Sequence, residues 1–146
     1  MDQNREAMRR IAIAINSMDG AYEMISRKIG VKENTMILLY ALDDGRPHTQ
    51  KEICEEWLIP KTTLNTIVRE CVKSGYLVLQ TGSREKEIRL TEQGKAYAAS
   101  VLNRVYELER RAADEMQEQA LHEFVCGLEK LAHALRKHAR AFYDEP

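Results

Sequence analysis

No apolar run in this sequence is long enough to cross a bilayer. The longest, MILLYAL at 36–42, has seven residues, where a spanning helix needs about 20. The opening MDQNREAMRR is polar and no adequate apolar segment follows it, so no secretory leader is expected. Cysteine is scarce and unpaired in pattern. Cys54, Cys71 and Cys126 are odd in number and far apart. That excludes a disulfide framework and any CxxC-type metal or redox motif, and a reducing cytoplasm is the expected compartment. Charge of one sign is also lacking. The net charge is -1, so no overall positive field draws in nucleic acid, and any such role must rest on a local patch. Internal repeats and low-complexity linkers are absent.

A catalytic constellation is missing too. His48 sits in a turn with no cysteine or serine nucleophile motif beside it. His122 and Cys126 are four apart, as are Glu129 and His133. Two ligands on one helix face do not make a zinc site, which needs three or four. His138, in RKHAR, lies near a helix C-terminus, where positive charge is favourable in any case. No enzyme activity, metal or cofactor is expected.

What is present is helical. The chain has 146 residues, 44% apolar and 31% charged, enough for one domain over 1–146 that buries roughly 70% of its unfolded surface. Met8, Ile11, Ile15, Met18, Tyr22, Ile25 and Ile29 recur at alternating spacings of three and four. This is a heptad seam within a helix over 4–29. Such a seam either lies on the chain's own core or also packs against a partner chain. GVKENT interrupts it, with Asn34 or Glu33 able to cap a short, almost wholly apolar helix, TMILLYAL. DDGRPH is a turn. Thr49 and Glu52 then fit a capping box that starts the helix TQKEICEEWL. After the tight turn LIP, Pro60 suits the first position of the next helix, which Gly75 ends.

The period then switches to strand. YLVLQT and EIRL flank TGSREK as a short hairpin, and Thr91 caps a long helix beginning at EQGKAY. A last helix over about 118–143 carries Leu121, Phe124, Val125, Leu128, Leu131, Leu135 and Phe142, again near a 3.5-residue period.

Helix, tight turn, helix, hairpin is the order of a winged helix-turn-helix, here over 33–91. The fold class expected is mainly α with a small β-hairpin wing. In PKTTLNTIVRECVKSG, residues 60–75, Leu64, Ile67, Val68 and Cys71 recur on one side. Thr62, Asn65, Thr66, Arg69 and Lys73 fall on the other, with Lys61 and Thr63 at the entrance. A plain solvated face would favour Glu, Lys or Ala over Thr and Asn. Asn can pair with adenine, Arg with guanine, and a Thr methyl can touch thymine. Local charge agrees. From Arg46 to Thr91 there are eight basic and six acidic residues, a balance of +2 that leaves -3 for the rest of the chain. On the hairpin, Arg84, Lys86 and Arg89 either reach flanking phosphates and the minor groove or are solvated beside Glu85 and Glu87.

The stretch IPKTTLNTIVRECVKSGYLV, the hairpin, and IRLTEQGKAY together resemble the MarR family of bacterial transcription regulators. The resemblance extends over almost the whole chain, and the LTEQG junction behind Gly75-Tyr76-Leu77 is its most specific part. It implies a homodimer built by the helices over 4–29 and 92–143, with Met8, Ile11, Ile15, Leu128, Leu131, Leu135 and Phe142 in the interface. It implies a repressor on a double-stranded DNA operator, contacted through Lys61, Thr62, Thr63, Asn65, Thr66, Arg69, Lys73, Arg84 and Lys86. Release by small molecules, often aromatic acids, or by oxidation goes with the family. Met18, Tyr22, Met36 and Tyr40 are either the lining of such a pocket or ordinary core. Two features depart from the family pattern. Gly82-Ser83-Arg84 stands where an Asp-x-Arg signature is common, in a wing about three residues shorter. No cysteine precedes Cys54, so the first-helix thiol of peroxide sensors is missing. Cys54 and Cys71, at apolar positions, read as buried inert thiols. The competing reading is a dimeric sensor or protein-interaction module on the same fold without DNA binding.

Overall fold

The structure is a computed structural model describing residues 2–81 and 85–146. Its elements run α1 (Gln3–Ile29), α2 (Glu33–Leu42), β1 (His48–Thr49), α3 (Gln50–Trp57), α4 (Lys61–Lys73), β2 (Leu77–Thr81), β3 (Lys86–Leu90), α5 (Glu92–Asp114) and α6 (Glu118–Tyr143). This is the mainly helical winged-helix architecture that the sequence pattern implies. The chain divides into two compact units, Met1–Val105 and Tyr106–Pro146.

In the first unit the core is made by α2, α3, α4 and the sheet. Leu38, Leu42, Ile53, Ile59, Leu64, Ile67, Val68, Cys71, Leu77 and Ile88 form one buried cluster. Burying each of the larger side chains contributes about 1.5–3 kcal/mol relative to exposure. The short helix α2 has five buried residues in ten, as expected of a helix apolar on nearly all sides. Its cap differs from the expectation. Lys32 holds the N-cap position and no side chain bonds the first amides, neither Asn34 nor Glu33. Glu33 instead occupies the first turn, where its charge opposes the helix dipole without needing capping geometry.

The capping box of α3 is present as expected. Thr49 Oγ1 accepts from the Glu52 amide at 3.1 Å, and Glu52 Oε2 accepts from the Thr49 amide at 2.9 Å. Helix α3 ends at Leu58, which adopts φ 51, in the left-handed region. It is the one non-glycine residue with positive φ among the described residues. Helix α4 follows after Pro60, which takes the N-cap rather than the first helical position.

The sheet has three antiparallel strands in the order β1-β3-β2. Leu77 pairs with Leu90, Leu79 with Ile88 and Thr81 with Lys86. The two-residue β1, with His48 opposite Ile88, corrects the reading of His48 as a turn residue. The sheet thereby joins the wing to the start of α3.

The seam on α1 divides along its length. Tyr22, Ile25 and Ile29 are half-buried, while Met8, Ile15 and Met18 are exposed, and Ser26 alone is fully buried. The C-terminal end of the helix therefore serves the chain's own packing.

In the second unit, α6 has no fully buried residue in 26. Leu121, Leu128 and Leu131 are half-buried, and Phe124, Val125, Leu135 and Phe142 are exposed. Among the described residues no helix is long and apolar enough to cross a membrane.

Candidate nucleic-acid interface

Helix α4 owes its placement to its apolar stripe. Leu64, Ile67, Val68 and Cys71 are buried, and that stripe fixes which side chains turn outward. Lys61, Thr62, Thr66, Arg69 and Lys73 are exposed, and Thr63 and Asn65 are half-buried. Each residue placed on the outward face by spacing alone is therefore open or partly open to solvent. Lys61, Arg69 and Lys73 have no carboxylate partner among the described residues. The Thr66 hydroxyl donates to the Thr62 carbonyl at 3.1 Å, so that side chain offers a partner its methyl group and oxygen lone pairs. Among the described residues no side chain caps the first amides of α4, which leaves N–H groups able to meet an anion.

The wing is partly placed. Lys86 opens β3, opposite Thr81, and is exposed, as is Arg89 opposite Val78. Arg84, with Gly82 and Ser83, lies outside the described residues.

Behind α4, the junction into α5 is locked. Gly75, at φ 80, turns the chain out of α4. Thr91 Oγ1 donates to the Gly75 carbonyl at 2.5 Å and accepts from the Gly94 amide at 2.9 Å. The Thr91 amide donates to the Tyr76 carbonyl at 3.0 Å. Tyr76 and Tyr97 stack, with centroids 4.2 Å apart and planes 11° from parallel. These contacts hold the end of α4, the base of the wing and the start of α5 together. They account for the LTEQG stretch in physical terms.

His48 Nε2 stands 3.0 Å from both carboxylate oxygens of Asp44, and its Nδ1 is 4.0 Å from Glu52 Oε2. The His48 contact, followed by the Arg46 amide, holds the Asp44 carboxyl below its ordinary value. These contacts tie the turn before β1 to the start of α3. Among the described residues no three His, Cys, Asp or Glu side chains come close enough to hold a metal ion. Cys71 is buried, Cys54 half-buried and Cys126 exposed, and burial pushes the Cys71 thiol above its ordinary value.

A cavity of about 390 Å³ opens between α1, α2 and the end of α3, within the usual range of small-molecule sites. Tyr22, Met36 and Tyr40 line it, three of the four pocket residues named from the sequence. Met18 does not, and is 56% exposed. Trp57 and Leu58 also line it, with Trp57 edge-on to Tyr40 at a ring-centroid distance of 5.6 Å. Both were missed from sequence, because nothing in the spacing of residues 57 and 58 ties them to residue 22.

Comparison with known proteins places this arrangement. The model described as MarR family matches residues 29–86. Among curated proteins no sequence matches. Solved structures do. NMB1585, a MarR family regulator from Neisseria meningitidis, is similar with TM-score 0.77 and 26% identity, covering 97% of this chain and 99% of that one. A MarR family transcriptional regulator from Listeria monocytogenes, complexed with 26mer DNA, gives TM-score 0.70 and 14% identity over 90% of this chain and 89% of that one. MarR of Staphylococcus aureus, in complex with salicylate and kanamycin, gives 0.70 and 16% over 92% and 93%.

Proposed function

The chain belongs to the MarR family, and on that footing we propose that it is a homodimeric repressor that binds duplex DNA through α4 and is released by a small molecule. One observation carries the DNA part. The outward face of α4 combines unpaired cations at Lys61, Arg69 and Lys73 with Thr62, Asn65 and Thr66, over a fully buried apolar stripe. Arg69 supplies bidentate donors for guanine O6 and N7, and Asn65 the donor and acceptor for adenine. Lys61, Lys73 and the open N-terminus of α4 serve phosphates. Lys86, exposed at the start of β3, adds a cation on the wing. The likeness in fold to the Listeria protein held with DNA supports this assignment.

The dimer rests on the apolar side chains that the protomer leaves open. These are Met8 and Ile15 on the first half of α1, and Phe124, Leu135 and Phe142 on α6. Patches of this kind are what a partner chain covers. A two-fold dimer presents two copies of α4, so the half-sites lie about 34–36 Å apart, one turn of DNA. The cavity walled by Tyr22, Met36, Tyr40 and Trp57 is the effector site. The Staphylococcus protein seen with salicylate and kanamycin supports a ligand-responsive reading.

Selection of genomic fragments by the purified full-length protein tests the whole proposal. The expected outcome is enrichment of pseudo-palindromic sites with that half-site spacing. Recovery of fragments without any common site counts against sequence-specific binding and favours a sensor or protein-interaction module.

A further inference from the structure

The cavity has a charge character of its own. Besides the rings of Tyr22, Tyr40 and Trp57, three carboxylates reach its wall: Asp19 from α1, Glu33 from α2 and Glu56 from α3. Among the described residues no Lys, Arg or His lines it. None of the three carboxylates has an ion pair or side-chain hydrogen bond among the described residues. The N-terminus of α2 offsets Glu33 in part, whereas Asp19 and Glu56 have no such compensation. An anionic ligand entering here meets like charge and no cation to receive it. A cationic ligand meets three carboxylates and three aromatic faces, of which tryptophan is the best cation–π partner.

We propose that this cavity binds an organic cation with an apolar or aromatic body, an ammonium or amidinium compound, rather than an aromatic acid. This rests on the reading of the chain as an effector-released regulator. The wall also supplies a route from ligand to DNA. Trp57 ends α3, and Leu58 is the left-handed residue of the turn into α4. Left-handed backbone at a non-glycine residue is unfavourable and is held by its surroundings. A ligand that shifts Trp57 acts directly on the turn that orients the recognition helix.

Trp57 is the chain's one tryptophan, so tryptophan emission, excited selectively over the six tyrosines, reports on this wall. The test titrates the full-length protein, without DNA, with benzyltrimethylammonium, benzyl alcohol and benzoate at physiological salt. The expected result is a saturable change in Trp57 emission with the cation, at an affinity about tenfold or more above that for benzoate. The double variant Asp19→Asn, Glu56→Gln should weaken cation binding by about tenfold. Both positions are exposed, so its thermal unfolding midpoint should match the parent's. The proposal is overturned if benzoate binds as tightly as the cation, if the double variant binds the cation like the parent, or if no saturable response to the cation is seen. These readouts require no operator, so a failure of the DNA assignment is seen separately, in the absence of site-specific binding.

Discussion

A Cβ added to Gly94 would stand 1.9 Å from the carbonyl oxygen of Tyr76. That carbonyl also accepts the Thr91 amide at 3.0 Å, so it cannot swing aside without breaking the junction behind α4. Gly94→Ala should therefore force the start of α5 off the base of the wing. The expected loss is about 3 kcal/mol, at the upper end of overpacking effects because the obstacle is backbone. Urea unfolding followed by circular dichroism measures it, and a midpoint equal to the parent's would show that the junction gives way freely.

The exposed α6 face leads to a second expectation. Leu135 is 57% exposed and Phe142 74% exposed in the protomer, so charging them should cost an isolated chain almost nothing. In a dimer the same changes bury charge against apolar surface, which is strongly unfavourable. The double variant Leu135→Asp, Phe142→Asp should sediment at the chain mass, and the parent should sediment at twice that mass. A parent that is itself monomeric at micromolar concentration would contradict the interface assigned to α6.

The three thiols should differ sharply in reactivity. Cys126 is exposed, and Cys71 is buried with its thiol pushed up by desolvation. Since the thiolate is the reacting species, a disulfide reagent should label Cys126 first and Cys71 only when the protein is unfolded. Cys54, half-buried, should fall between them. Rapid labelling of Cys71 in the folded protein would reopen an oxidative role for α4.

The contact between Asp44 and His48 carries a pH dependence. The Asp44 carboxyl lies below its ordinary 3.8, first through His48 and then through the Arg46 amide. A carboxyl depressed on folding contributes stability that is complete above its unfolded value and is lost as pH falls through the folded value. Asp44→Asn should thus destabilise the protein at pH 7, and the difference should shrink once pH drops below about 3.8. With Asp44 partly exposed, the effect is a few tenths to about 1 kcal/mol. Parallel stability curves for parent and variant down to pH 2 would show that the contact carries no net charge coupling.

Much of this was legible from local pattern. The α3 capping box lies within four residues, and the two faces of α4 follow from a 3.6-residue period, so both could be read directly. The junction was visible only as the string LTEQG, since its meaning lies in a bond from Thr91 to Gly75, 16 residues back. Strand β1 was missed because two residues carry no alternation to detect; its pairing with Ile88 is non-local. The acidic character of the cavity was hidden for the same reason. Asp19, Glu33 and Glu56 come from three helices, and only packing brings them around one space. Met18, left open between pocket lining and core, is exposed on α1; a heptad seam does not reveal where along its length the chain's own packing stops.

The proposed function stands or falls on whether α4 reads base edges. The most direct test is fluorescence anisotropy of the parent, Arg69→Ala and Asn65→Ala on a selected operator and on a scrambled duplex, across a salt series. For the parent, log K on the operator should fall with log salt by about 0.9 per phosphate contact neutralised. Each substitution should weaken operator binding by about 1–3 kcal/mol while changing the scrambled duplex far less, with circular dichroism unchanged. Variants that bind the operator as tightly as the parent at physiological salt would contradict the assignment of Arg69 and Asn65 to the groove.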